Sequence, residues 1–177
     1  MRRLSTLTAA CCLMWIAAPL PAQQEPPKPG PEHEHLKQLE GVWDANVMAA
    51  GNESKGTLGR KMDLNGLWLL EHFQGEAGGM KFEGRGATSY DAAKKKYVNV
   101  WIDSMSTSPM VSEGTYDKST KTLTMKGDMP LPDGKSMKIT MVTVTMDANT
   151  NVFTMTGSSA DGKDFEMIKI TYKRRAK

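Results

Sequence analysis

The chain has 177 residues, of which 24% are charged and 39% apolar, and its formal net charge is +3. This composition is typical of one globular domain plus a leader, and no apolar run reaches the roughly 18 residues that a membrane-spanning helix needs. The small charge excess gives no sign of a nucleic-acid-binding surface. We therefore expect a globular domain with no membrane span and no nucleic-acid partner; the sequence names no protein partner.

Residues 1–22 are predicted to be a secretory signal peptide. Arg2 and Arg3 form a basic start, residues 7–20 are mostly apolar, and Ala22 is a small residue suited to cleavage. The apolar stretch is too short to span a membrane. We expect export to the periplasm or the extracellular space.

The cysteine positions limit the chemistry of the exported chain. The two cysteines, Cys11 and Cys12, both lie within the predicted leader. A mature chain that begins near Gln23 would therefore contain no disulfide, no thiolate nucleophile and no cysteine-based zinc site.

Residues 23–34 contain four prolines and are predicted to be an extended, mobile linker. His33 and His35 could act as a local metal chelate, but in a flexible segment they are more simply explained as a solvated polar turn. The spacing of Leu36 and Leu39 predicts one helical turn at the start of a domain covering residues 35–177.

The remaining chain alternates strand-forming segments with turn residues. Segments rich in Val, Ile, Thr, Met and aromatic residues are separated by glycine, Asp-Gly and asparagine-containing turns. They predict about ten antiparallel strands, at residues 42–49, 56–64, 67–75, 80–90, 96–105, 109–117, 121–128, 135–146, 150–157 and 163–173. Because an open sheet of this size would expose its edges, we expect an all-β meander that closes into a single barrel. A barrel of ten strands can keep an interior cavity.

An internal repeat supports this meander. Residues 117–127 and 147–157 align, since each begins with Asp, ends with Met-x-Gly and is followed by an Asp-Gly-Lys turn. The carboxylates of Asp117 and Asp147 are expected to accept backbone hydrogen bonds and so start each turn.

Several motifs carry a resemblance to known families. The opening Gly41-Val42-Trp43 resembles the Gly-x-Trp start of lipocalins and other calycins. Six further segments resemble the secreted bacterial family called domain of unknown function fifteen-seventy-nine, and the resemblance covers residues 35–173. The segments are MKFEGRG at 80–86, SYD at 89–91, KKYVNVWIDSMST at 95–107, SEG at 112–114, DGK at 161–163 and ITY at 170–172. The resemblance implies a calycin-like barrel and export. It implies no activity and no catalytic residues.

The fifth predicted strand presents two different faces. Tyr97, Asn99, Trp101 and Asp103 alternate with an apolar set that includes Val100. A dry core would favour the apolar face, whereas a ligand cavity favours aromatic residues with a few polar groups. The sequence leaves both open, and we favour the Trp101 face as the cavity lining.

The first functional hypothesis is that the barrel binds a small, largely apolar molecule, without a cofactor or a resident metal. Aromatic side chains would supply contact area and a few polar groups would act as anchors. The candidate ligand-binding residues are Trp43, Tyr90, Tyr97 and Trp101, with Asp103, Glu113 and His72 as polar anchors.

Four alternatives stay open. A non-catalytic envelope scaffold would have a filled barrel, and a hydrolase would use the carboxylates of Glu71, Asp103 and Glu113. His72 is the one histidine in the predicted domain body that could ligate haem. The twelve methionines after the leader could bind Cu(I) or fill an irregular core, and the shared face of Met137, Ile139 and Met141 favours packing.

Overall fold

The computed structural model describes residues 25–131, 133–159 and 161–176. The predicted signal peptide lies outside these residues. Within them, no helix is both long enough and apolar enough to cross a membrane.

Among the described residues, one two-turn helix precedes the sheet. Helix α1 spans Pro31–Gln38, with Pro31 at its first turn, where the missing N–H costs no hydrogen bond. The side chain of His33 accepts a hydrogen bond from the Gly30 N–H (3.1 Å) and so caps the start of the helix. The helix begins inside the segment predicted as a linker. His33 and His35 are buried by the barrel below, so the prediction of a solvated polar turn is wrong.

Ten antiparallel strands follow, and they confirm the predicted meander. Each strand pairs with its neighbours in sequence, and the first also pairs with the last, so that the sheet is a closed barrel. The strands are β1 (Gly41–Ala49), β2 (Asn52–Asp63), β3 (Trp68–Ala77), β4 (Met80–Asp91), β5 (Lys96–Asp103), β6 (Met110–Asp117), β7 (Thr122–Pro130), β8 (Ser136–Asp147), β9 (Thr150–Ser158) and β10 (Asp164–Arg174).

The largest boundary difference is at β2, which begins four residues before its predicted start. Ala50 and Gly51 both have positive φ (49° and 78°) and form a two-residue hairpin turn, so β1 leads directly into β2. Alanine rarely adopts positive φ, so Ala50 does not indicate a turn, and the predicted start of β2 is therefore four residues too late.

The repeated aspartate turns have the predicted geometry. Asp117 accepts a hydrogen bond from the Ser119 N–H (2.8 Å), and Asp147 accepts one from the Asn149 N–H (2.7 Å). These bonds lower the pKa of both carboxyl groups; at Asp117 the largest contribution comes from the Ser119 hydroxyl. The aspartate side chains therefore start the reversals between β6 and β7 and between β8 and β9.

The two ends of the barrel differ. The helix end carries α1 and the short turns after β2, β4, β6 and β8, whereas the far end carries the loops after β5, β7 and β9. Two buried clusters lie in the interior: one lies under α1, at Leu69 of β3 and along β5–β9, and the other lies along β1–β3 and β10. Phe153 packs against both clusters and so connects them.

Arg174 and Trp43 fasten the helix end. The Trp43 indole N–H donates to the Leu39 carbonyl (3.0 Å), and the Arg174 guanidinium lies 4.1 Å from the centroid of the Trp43 ring. Arg174 also donates to the carbonyls of Gln38 (2.7 Å) and Glu40. The last strand thus ties the segment after α1 to the barrel rim.

Candidate functional site: the barrel interior

The Trp101 face of β5 points into the barrel. On the opposite face Val100 and Ile102 are 40% and 54% exposed. The Trp101 ring lies over Gly84 and Gly86 of β4, where any side chain would meet it. Its indole N–H donates to the Asp103 carboxylate (3.0 Å), so Trp101 and Asp103 reach the interior as one hydrogen-bonded pair.

An ion pair lies inside the barrel between β2 and β3. The Arg60 Nε donates to Glu71 Oε1 at 2.8 Å, and the two side chains are only 7% and 14% exposed. The guanidinium also lies 5.6 Å from the Trp43 ring centroid and 5.1 Å from that of Tyr172. The cation is thus held by one carboxylate and two aromatic rings, an arrangement that stabilises a partly desolvated guanidinium.

Tyrosines and histidines pack beneath the helix. Tyr97 donates its hydroxyl proton to the Glu32 carbonyl (2.9 Å), and burial raises its pKa to about 12. The His35 ring stacks on Tyr116 with 3.7 Å between centroids, and Tyr90 meets both His33 and Tyr97 edge-on. Burial, reinforced by the Arg60 charge, lowers the pKa of His35 to about 4. These tyrosines therefore close the helix end of the interior.

Two of the predicted polar anchors lie outside the barrel. His72 alternates with the inward-facing Leu69, Glu71 and Phe73, and its ring bonds to Glu83 (2.8 Å) on the outer surface. Glu113 likewise faces outward, where Lys96 and Lys94 bind its carboxylate and lower its pKa. Their assignment to an interior ligand is wrong, because each belongs to the outward set of a period-two strand.

The outward placement of His72 and Glu113 also bears on the haem and hydrolase hypotheses. A haem inside the barrel could not use His72 as its axial ligand. A hydrolase built on Glu71, Asp103 and Glu113 fails too, since Glu71 and Asp103 face the interior while Glu113 faces solvent.

Several buried polar atoms find no hydrogen-bond partner among the described residues. They are Arg60 Nη1, Ser112 Oγ, both amide atoms of Asn151, and Nε2 of His33 and His35. Asn151 is fully buried and Ser112 is 2% exposed. Buried polar groups normally have partners in protein or water, so these are the interior atoms that a water or another molecule could satisfy.

A cavity of about 210 Å³ adjoins some of these atoms at the helix end. His35, Leu39, Trp43, Asn151 and Arg174 contribute to its lining. It offers mixed apolar and polar contacts close to the Arg60–Trp43 contact.

Alternation in the sequence also indicates interior polar residues that are not among the predicted site residues. Arg60 alternates with Leu58 and Met62, so period two places its charge on an apolar face. Asn151 likewise alternates with Phe153 and Met155, whereas Ser112 shares its face with Met110 and Gly114 and carries a weaker signal.

The chain is similar in fold to two designed β-barrels of known structure. A redesigned β-barrel shares 17% identity at a TM-score of 0.40, covering 80% of this chain and 96% of that one. A de novo designed fluorescence-activating β-barrel shares 13% identity at a TM-score of 0.43, covering 79% of this chain and 96% of that one. Among curated proteins, none matches the chain.

The family model described as "Protein of unknown function (DUF1579)" matches residues 28–174, so the chain belongs to this family. The resemblance identified from the sequence motifs is thereby confirmed. Because that description names no ligand or reaction, a function has to follow from the residues of the barrel itself.

Proposed function

We propose that this is an exported binding protein that holds a small, largely apolar molecule inside its barrel. The observation that carries the proposal is the set of unpartnered polar atoms on an interior wall that is mostly apolar and aromatic. Ligand sites combine such a wall with a few convergent polar groups. Trp43, Trp101 and Asp103 are the candidate contacts in the interior, with Tyr90 and Tyr97 at the helix end.

The polar atoms favour binding over a purely structural role. A barrel that served only as a scaffold would gain stability by replacing Ser112 and Asn151 with apolar residues of similar volume. Retaining an amide with two unpartnered atoms costs free energy unless something bonds to it. A bound molecule with one or two polar groups would recover that free energy.

Export is part of the proposal and is supported by the leader-like residues 1–22. N-terminal sequencing of protein recovered from the cell envelope should give a chain that begins near Gln23. Recovery of an intact form beginning at Met1 in the cytoplasm would contradict export.

A filled envelope scaffold is the second candidate. Phe153 favours it, because this side chain connects the two core clusters and takes up space between them. The two candidates differ in whether a molecule co-purifies with the protein.

The deciding experiment is mass spectrometry of native protein followed by titration of the extracted molecule into stripped protein. Burying about 200 Å² of apolar surface contributes roughly 5 kcal/mol before association costs, which by itself corresponds to a Kd of about 0.2 mM, so micromolar affinity is the tightest binding expected once polar contacts are added. Trp101→Phe should raise that Kd by about 5- to 10-fold and remove most of the fluorescence change.

Two matched variants serve as controls. Trp68→Phe removes a tryptophan from the outward-facing set of β3, and Val100→Ala trims the outward face of β5; neither should alter the Kd. Recovery of no bound molecule, together with no response to fatty acids and small aromatic compounds, would favour the filled scaffold.

A further inference from the structure

The methionines are sorted between the two faces of the barrel. Met48, Met80, Met105 and Met146 are exposed. A larger set faces the interior along β6–β10, comprising Met110, Met125, Met129, Met137, Met141, Met155 and Met167. The interior wall on this side therefore contains seven thioethers.

The inward methionines form two groups at different depths. Met125, Met141 and Met155 are direct cross-strand partners on β7, β8 and β9, and all three are buried. Nearer the far end, Met129 and Met137 are direct partners, and Met110 begins the neighbouring strand β6. The first group is surrounded by core residues, whereas the second is only partly buried.

Two sulfur atoms converge above Gly157 of β9. A Cβ atom built on Gly157 would lie 2.5 Å from Met137 Sδ and 2.8 Å from Met167 Sδ. The two sulfurs are therefore separated by no more than the sum of these distances. Two sulfurs that bind one metal ion at about 2.3 Å each are at most about 4.6 Å apart, so a small torsional change brings this pair to ligand spacing.

Met167 reaches this position because of a β-bulge. The register between β9 and β10 shifts between Glu166 and Ile168, and Met167 is the additional residue. A bulge re-aims a side chain relative to the regular alternation. Met167 thus packs into the interior beside Met137, even though Ile168 already occupies the place opposite Met155.

Met129 supplies a third sulfur within reach. Directly opposed residues in an antiparallel pair have Cβ atoms about 4.5–5.5 Å apart, and the flexible methionine side chain spans that gap. Hard ligands are not grouped nearby: within the described residues, no set of three or more His, Cys, Asp or Glu side chains could hold a metal ion. Neutral thioethers without hard ligands select soft monovalent cations.

We infer that Met129, Met137 and Met167 form a thioether site for Cu⁺ at the far end of the barrel, with Met110 as an additional donor. Three neutral sulfurs leave the ion with its single charge, which a partly buried site tolerates better than a double charge. Gly157, which has no side chain, leaves room above the strand for the two sulfurs and for the edge of the Phe165 ring beside them. The inference does not depend on the apolar-ligand proposal, although Met110 is the direct cross-strand partner of Trp101.

The test uses purified protein with ¹³C-labelled methionine methyl groups. Ag⁺, which is not subject to redox change, and Cu⁺ under anaerobic conditions are titrated against a competing chelator. We expect binding of one ion per chain and methyl shifts confined to Met110, Met129, Met137 and Met167. Shifts only at the exposed methionines, or no binding at all, would overturn the site.

Leucine substitutions provide the matched comparison, because leucine keeps the approximate volume and removes the sulfur. Met129→Leu/Met137→Leu/Met167→Leu should weaken Ag⁺ affinity by about 100-fold. The control Met80→Leu/Met105→Leu/Met146→Leu, which changes exposed methionines, should leave it unchanged. Equal affinity of the first variant and the wild type would refute the assignment; if that variant does not fold, the methyl shifts of the wild type decide.

Discussion

At the scale of single residues, the Arg60–Glu71 pair carries opposite charges into an apolar interior. Taking two charges out of water is costly, and their attraction offsets that cost only while both are present. The 2.8 Å contact and the flanking rings of Trp43 and Tyr172 keep the pair in one arrangement. The contribution of this pair to the stability of the fold therefore depends on both charges being present, more than on either charge alone.

We predict strong non-additivity for this pair. Arg60→Met or Glu71→Leu alone should lower the free energy of unfolding by about 3–5 kcal/mol, because each leaves a buried charge without its partner. The double variant should be more stable than either single variant. Urea unfolding of all four proteins measures the coupling, and single-variant losses that simply add would contradict the buried-pair interpretation.

His35 should make the fold sensitive to mild acid. Its pKa is about 4 in the folded chain, lowered by burial and by Arg60, against 6.5 for an unperturbed histidine. The unfolded chain therefore takes up the proton first, so stability present above about pH 6.5 is lost as the pH falls towards 4. Between about pH 7.5 and pH 5 the loss from this group is about 2 kcal/mol.

Urea melts at these two pH values test the histidine. His35→Phe keeps an aromatic ring against Tyr116 but cannot be protonated, so it should lose about 2 kcal/mol less than the wild type over the same interval. An identical pH dependence in both proteins would show that His35 does not keep its neutral form in the fold.

At the scale of elements, glycines set how closely the strands and side chains approach. A Cβ atom on Gly114 of β6 would collide with the Thr124 carbonyl oxygen of β7. On Gly59 of β2 it would meet only the His72 carbonyl oxygen, at 3.9 Å, an ordinary contact. The same residue type is thus required in one strand and replaceable in another.

We predict that Gly114→Ala and Gly59→Ala have different effects on the stability of the protein. Gly114→Ala should destabilise the protein by about 1–3 kcal/mol, because a backbone atom must move to make room. Gly59→Ala should be nearly neutral. Thermal melts of the two variants suffice, and equal midpoints would mean that the β6–β7 contact adapts without cost.

At the scale of the whole molecule, the sequence predicted the barrel well and its interior only in part. Strand positions follow from local alternation and turn residues, which act over short distances. The orientation of Glu113 depends on how β6 registers against β5, and the burial of His35 depends on α1 folding back over the barrel. Such tertiary placements are not encoded in any local pattern.

Closure of the ring by β1 and β10 has a consequence for how the protein is made. Arg175, just beyond β10, binds Asp44 of β1, 131 positions earlier in the chain. Contacts of such sequence separation are slow to form. Until β10 has been synthesised, β1 and β9 each have an unpaired edge, and an incomplete sheet of this kind invites association with other chains. The barrel can therefore close only after its last strand has been synthesised, and until then the growing chain is an open sheet with two unpaired edges.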